Sequence, residues 1–398
     1  MLLKKKNINT AIIGIILILM CHIFYLVNIP DGLWLLLYLI LAGIVYLKYF
    51  KVKVKSARYS AIIILGIFMI IISSIRAKYN SGQPFLYGLD QQKIFAIILM
   101  SYFALQKLFY KSKINVELFE KIIIGMGVFE CMVYILQHYA YPKIIFLNCM
   151  INIRNGARIY ADSVVIELMI MICFSRILKN NKGNIKNIAS VVLGIFYEFV
   201  VAQGRLECMA LIFVLAVSFL IYRGWSGKKL IIGSIIVVIG IWIYNSGLIE
   251  AFMTTEYNTM EIRDVARNLY YARLLKNPLN LILGYGYLGA GYSDIVGFAG
   301  TQKMLYVVDS GIFGFVYSYG IIGIIFVLGI IVKSIKLAFK VYKNENEIYP
   351  LMFMIMNIIL AYNIVFWWWK SEWTLVMVFL MCFLENAVYK NRCRMDVK

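Results

Sequence analysis

Residues 307–328 read VVDSGIFGFVYSYGIIGIIFVL, and the run stays apolar as far as Val332. After Asp309 no charge interrupts it until Lys333. A hydrocarbon layer of ~30 Å is crossed by about 20 apolar residues as a helix, and only a helix satisfies its own backbone there. Working outward, comparable runs recur along the chain: AIIGIILILMCHIFYLV from Ala11, GLWLLLYLILAGIVYL from Gly32, SAIIILGIFMIIISSI from Ser60 and LIIGSIIVVIGIWIY from Leu230. The 398 residues are 62% hydrophobic and 15% charged, with mean hydropathy +0.81. That composition cannot cover a soluble surface with polar groups. The expected fold is an all-α polytopic membrane protein of about 12 transmembrane helices in a single domain, 1–398, into which one large outer loop, 246–309, is inserted.

The expected spans are Ala11–Val27, Leu33–Leu47, Ala61–Ile75, Ile94–Phe109, Lys121–Tyr139, Ser163–Leu178, Ile188–Ala202, Met209–Tyr222, Leu230–Tyr244, Gly311–Val332, Leu351–Trp368 and Thr374–Tyr389. Lysines gather in alternate loops, which the positive-inside rule places in the cytoplasm together with both termini. The first apolar run lacks a small-x-small cleavage site and reads as an uncleaved span. Topology therefore explains most of the net charge of +20, and a nucleic-acid partner is not expected. Seven cysteines without CxxC spacing and two histidines, His22 and His138, outline neither a metal site nor a disulfide framework.

Arginine breaks the pattern. Arg76, Arg154, Arg158, Arg205, Arg263, Arg267 and Arg273 all fall on the expected outer side, whereas inner loops use lysine. A guanidinium fork matches phosphate or carboxylate oxygens, so the outer face reads as built for an anion; snorkelling to lipid phosphates is the plainer alternative. Glu130, Asp162, Glu167, Glu198 and Glu207 lie in or near spans and should face the bundle interior or an aqueous cavity. If its helix continues to the turn, Glu198 shares a face with Arg205, as site partners or as a structural pair.

Residues 257–276 suit an amphipathic helix with Ile262, Val265, Ala266 and Leu269 on one side and Arg263 and Arg267 on another. Two arginines at i, i+4 repel unless an anion lies between them, which makes a diphosphate clamp plausible beside the alternative of an interfacial helix. Pro278 is expected to end the helix. The segment GYGYLGAGYSDIVGFAG follows, its glycines permitting close approach of a ligand and its tyrosines, Tyr285 and Tyr287 among them, offering faces to sugar rings. A flexible loop is the alternative.

At these residues the chain resembles the O-antigen polymerase/ligase superfamily, in three places: the Gly204-Arg205 pair that opens a span in AQGRLECMALIFVL; Arg263 followed by Pro278, Gly284 and Gly286; and Asp309-Ser310 opening a helix with Gly320-Ile-Ile-Gly323. The resemblance covers roughly the second half of the chain. Leu281-Ile282-Leu283 is extra between the Pro and the first Gly, and Asp309-Ser310 stands where ligases of the family have His-Asn, which favours a polymerase over a ligase. The resemblance implies a GT-C-like membrane glycosyltransferase. It would join polyprenyl-diphosphate-linked repeat units into capsular polysaccharide, exopolysaccharide or O-antigen on the outer face of the bacterial cytoplasmic membrane, without a cofactor or metal.

Arginine forks would hold the charge that develops on the leaving diphosphate, and a carboxylate would take the acceptor's proton. The expected catalytic residues are Arg205, Arg263 and Asp309. Arg158, Arg267, Arg273, Glu207, Asp162, Tyr285 and Tyr287 are the expected substrate contacts, with Glu207 and then Asp162 behind Asp309 as candidates for the base. An N-cap is the structural alternative for Asp309. A flippase and a chain-length regulator are the expected protein partners. Ligation of finished glycan and transport of lipid-linked oligosaccharide are the competing functions.

Overall fold

The computed structural model describes residues 2–27, 30–54, 58–112, 116–145, 148–153, 157–161, 164–179, 185–222, 257–289, 292, 307–362 and 365–395. The fold is mostly helical. Among the described residues, five helices are long and apolar enough to cross a membrane: Ser60–Ser81, Lys93–Tyr110, Ile185–Ala202, Ile312–Glu345 and Ser371–Tyr389. Shorter apolar helices occupy Asn9–Leu19, Gly32–Lys48, Leu206–Ile221 and Tyr349–Ala361. The expected span Leu230–Tyr244 lies outside the described residues.

The helix Ser371–Met395 forms the centre, buried along its whole apolar length. It reads VMVFLMCFL on every side, and a helix apolar all round has no solvent face to present. It packs on Lys93–Ser112 and on Ile312–Glu345. At one end Glu385 ties it to its neighbours, accepting bonds from the backbone N–H of Arg58 (2.6 Å) and Tyr59 (2.9 Å), from Gln106 Nε2 (2.7 Å) and from the Tyr102 hydroxyl (3.0 Å). The two backbone donors precede Ser60, so this carboxylate caps the first turn of Ser60–Ser81 from another helix.

Three expectations fail at helix ends. Leu351–Trp368 is not one continuous helix: Tyr349–Ala361 stops after 13 residues, about 20 Å of rise, and a short turn, Phe366–Trp369, follows. The helix through Glu198 does not reach Arg205. It becomes a π-helical turn over Tyr197–Ala202, Gln203 turns left-handed at φ 49°, and a new helix begins at Arg205. Nor does Pro278 merely end a helix. Tyr257–Leu275 closes, Asn277 accepts from the Leu279 N–H (2.9 Å), and Pro278 takes the first position of a new helix to Leu283, where its missing N–H costs nothing. A small antiparallel hairpin, Met150–Ile153 with Ala157–Tyr160, stands where the sequence showed only loop.

Candidate functional site

The ends of seven helices meet at the pole of the bundle opposite Glu385. There Ser60–Ser81 finishes, Lys93–Ser112 begins, the chain turns through Gln203-Gly204 into Arg205–Ile221, Ile312–Glu345 starts, and Tyr349–Ala361 gives way to Ser371–Met395. Two polar assemblies occupy this pole.

The first is a cavity of about 390 Å³ lined by His22, Tyr25, Trp34, Ile94, Arg158, Ile159, Tyr160, Ala161, Ala202, Glu207, Lys370, Ser371 and Glu372. Arg158 stands on the hairpin. Its Nε donates to the Ala202 carbonyl (2.9 Å), its Nη1 to the Tyr160 hydroxyl (3.0 Å), and its guanidinium lies 4.3 Å from the centre of the Tyr160 ring. The strand is thereby pinned to the last π-helical residue, and the planar cation is held at the cavity wall. Glu207 lies in the first turn of its helix, where a carboxylate complements the helix dipole. Its Oε2 occupies the space that a Cβ on Gly204 would need. Opposite, Lys370 and Glu372 flank Ser371, whose hydroxyl donates to Glu372 Oε2 (2.8 Å). Two cations, two carboxylates, a histidine and three large aromatic rings thus face one space.

The second assembly is the docked Gly-Tyr segment. Gly284 (φ 81°) and Gly320 (φ 64°) meet backbone to backbone: a Cβ on Gly284 would come within 2.5 Å of the Ser318 carbonyl, and one on Gly320 would strike the Gly284 N–H and the Ile282 carbonyl. Gly286 (φ 111°) lies as closely on the Ala77 backbone. The Tyr285 N–H donates to the Tyr317 carbonyl (2.7 Å), the Tyr287 N–H to Ser73 Oγ (2.8 Å), and Asn80 Nδ2 to the Tyr285 carbonyl (2.7 Å). Arg76, buried, donates from Nε to the Gly284 carbonyl (3.3 Å) and from Nη2 to Asn280 Oδ1. Gly284 and Gly286, read as room for a ligand, are instead room for two neighbouring helices, while Gly291, Gly297 and Gly300 lie outside the described residues.

The residues expected to bind substrate divide accordingly. Arg158 and Glu207 line the cavity. Arg267 serves the fold: it pairs with Asp264 (2.9 Å) and donates to the Tyr362 carbonyl (3.2 Å) at the end of Tyr349–Ala361, where a cation complements the helix dipole. The i, i+4 pair with Arg263 therefore needs no anion to offset its repulsion. Arg273 lies over the Tyr285 ring at 5.9 Å, and Tyr285 stacks on Tyr317 at 5.1 Å and 14°. Tyr287 meets Trp368 edge-on at 5.8 Å, and burial raises its phenol above the usual value. The Tyr285 ring is thus taken up by Tyr317 and Arg273. Arg263 is half-buried on the 257–275 helix.

That helix buries Ala266, Tyr270 and Leu274 against Tyr317, while Val265 is exposed. The stripe is rotated from the expected one because Tyr270 supplies the largest apolar surface. Arg205 is the first residue of its helix and Asp309 sits in a single 3-10 turn; their side chains, with Asp162 and Arg154, lie outside the described residues. Gly311, not Asp309, caps the helix from Ile312.

Lys370, Glu372, His22 and Trp34 were not anticipated in the site. Nothing in the sequence set Lys370 apart, since Lys78, Lys143, Lys276 and Lys303 fall on the same expected side. Among the described residues no set of three His, Cys, Asp or Glu side chains converges as metal ligands. Long apolar helices mark the chain as a membrane-embedded helical protein with a charged cavity at one pole. No protein-family model matches the chain, and no curated protein matches its sequence.

Proposed function

We propose that this protein is a membrane polymerase that joins polyprenyl-diphosphate-linked oligosaccharide repeat units on the outer face of the bacterial cytoplasmic membrane. On this reading it has about 12 spans in a GT-C-like arrangement, with both termini in the cytoplasm. The observation that carries it is the cavity, where Arg158 and Lys370 stand with Glu207, Glu372 and the rings of Tyr25, Trp34 and Tyr160. A glycosyl diphosphate needs cations at the leaving oxygen, a carboxylate near the acceptor hydroxyl and apolar faces for the sugars, and preorganised charge in a water-poor space is the largest catalytic contribution available to it. Glu207 is the base candidate that the cavity favours. Arg158 and Lys370 hold the diphosphate, with Arg205 and Arg263 as further candidates from the resemblance, and Asp309 as the alternative base.

The test is a reconstituted assay. Purified protein in liposomes receives a polyprenyl-diphosphate repeat unit, and products are read as a gel ladder beside Arg158→Ala, Arg205→Ala, Arg263→Ala and Glu207→Gln. A ladder lost in folded Arg158→Ala and Glu207→Gln supports the reading. No ladder from the native chain with its correct repeat unit refutes it.

Transport of the same lipid-linked oligosaccharide is the second reading, favoured by the π-helical interruption at Tyr197–Ala202, whose last residue lines the cavity. Protein-dependent crossing of the bilayer by the substrate, without a ladder, identifies it.

A further inference from the structure

Behind the cavity wall lies a group of side chains that neither reading uses. Glu130 and Glu167 are 0% exposed, Glu198 is 1% exposed, and each stands on a different element: the helix Val116–Ala140, the helix Val164–Lys179 and the π-helical turn. These elements pack on one another, and the π-helical turn also packs on the strand Ala157–Tyr160 and on Arg205–Ile221, which carries Glu207. The charges acting on Glu198 are, in falling order, those of Glu167, Glu207, Lys370 and Glu130. Glu207 and Lys370 line the cavity, so the group runs from the cavity wall into the bundle.

Three atoms in it lack partners. Both carboxylate oxygens of Glu198 lack a hydrogen-bond partner among the described residues, and so does the hydroxyl of Tyr197, which is 0% exposed and has Glu198, Glu130 and Glu207 around it. The Tyr197 ring is held by Tyr134, 5.7 Å away. A π-helical turn inserts one extra residue, which aims successive side chains at the same interior, and such turns recur at functional sites.

Glu198 stands among Glu130, Glu167 and Glu207, and neither of its own oxygens accepts a hydrogen bond among the described residues. An ionised carboxylate in a low-dielectric interior is too costly to stand without a partner, and this set does not converge as metal ligands. We propose that Glu198 is a proton-binding site and that it exchanges its proton with the cavity through Glu207. A hydronium ion in the cavity gives its proton to the Glu207 carboxylate and becomes water, and the proton passes on to Glu198, leaving a neutral acid inside and Glu207 ionised at the cavity wall. No bond other than O–H changes, and nothing is oxidised or reduced.

The groups around Glu198 are Glu130 and Cys131 on Val116–Ala140, Glu167 on Val164–Lys179, Tyr197 beside it, Glu207 and Cys208 on Arg205–Ile221, and Lys370 before the central helix. Occupancy of the cavity by an anion is thereby linked to the pH on that side of the membrane, whether the protein transfers the glycan or transports it.

Infrared spectroscopy on the native protein in liposomes, with no substrate present, tests the proposal. Expected is a protonated-carboxyl absorption at neutral pH that shifts when outside H2O is replaced by D2O, loses intensity in Glu198→Gln, and moves in frequency without loss in Glu198→Asp. Glu207→Gln should keep the absorption and slow its isotope shift. The proposal is overturned by a native spectrum without a protonated carboxyl, by an absorption of unchanged intensity in Glu198→Gln, or by exchange at the native rate in Glu207→Gln. Should the Glu198 variants not fold, Glu207→Gln decides it: exchange at the native rate overturns it, and slowed exchange with the absorption kept supports it. A missing ladder in the transfer assay leaves this result untouched, so the two failures are distinguishable.

Discussion

Arg76→Ala should unlock the Gly-Tyr segment without unfolding the bundle. The guanidinium is only 8% exposed and makes two charge-assisted donations, a long one to the Gly284 carbonyl and a short one to Asn280 Oδ1. Hydrogen bonds to charged groups are worth roughly 1.5–3 kcal/mol each; with one bond long, and with Asn280 keeping a weak donor in Asn80 Nδ2 at 3.3 Å, the expected local loss is about 2–4 kcal/mol. At about 1.4 kcal/mol per tenfold, local opening becomes roughly 30- to 1,000-fold more frequent. Amide exchange read by mass spectrometry in detergent gives the answer at two reporters, the Tyr285 N–H bonded to Tyr317 and the Tyr287 N–H bonded to Ser73. Amides in the central helix should keep their native protection. Arg76→Lys should recover little, because an ammonium cannot present two forked donors. Native protection at both reporters in Arg76→Ala would refute the assignment of Arg76 as a strut and return it to the pool of substrate-facing arginines.

Other outcomes follow from the same contacts. Gly204→Ala should displace the Glu207 carboxylate from the cavity wall, lowering ladder formation at a stability cost of about 1–3 kcal/mol; full activity would remove Glu207 as the base. Gly320→Ala meets both a positive φ and the Gly284 backbone, so it should lower the thermal midpoint more than Gly323→Ala. The latter position is hemmed only by the Tyr319 and Phe315 side chains, and equal midpoints would contradict the close approach. Glu385→Ala leaves the donors of Arg58, Tyr59, Tyr102 and Gln106 without their acceptor and should cost on the order of 3–5 kcal/mol in denaturant unfolding. Glutamine there should recover part of that loss.

The reach of the sequence differs from element to element. The run after Asp309 is a helix because nothing in it breaks a helix or demands water, and the long runs at Ser60, Lys93 and Ser371 repeat that logic. Leu351–Trp368 looked equally continuous, yet the chain breaks after Ala361, where Gly311 of another helix lies against the Tyr362 carbonyl. Hydropathy sums over such a break because it weighs side chains and not the partners of backbone groups. The turn at Gln203-Gly204 was visible, but the π-helical turn ahead of it was not. No local propensity separated it from ordinary helix.

The arginines show the same division. Their placement at one pole follows from counting charges along alternate loops, a property of the chain alone. Which of them face a cavity and which hold the fold together depends on neighbours that lie 44 to 208 residues away in the chain. Arg76 finds the Gly284 carbonyl, Arg267 the Tyr362 carbonyl, and Arg158 the end of the π-helical turn. Lys370, Glu372, His22 and Trp34 line one cavity with Arg158 and Glu207 only when four distant segments meet. The sequence by itself determined that this chain lies in a membrane as helices, because burial of apolar side chains and self-satisfied backbone are local requirements. The tertiary structure alone decided where its charges are offset, because a partner for a buried charge is a matter of distance in space and not of order along the chain.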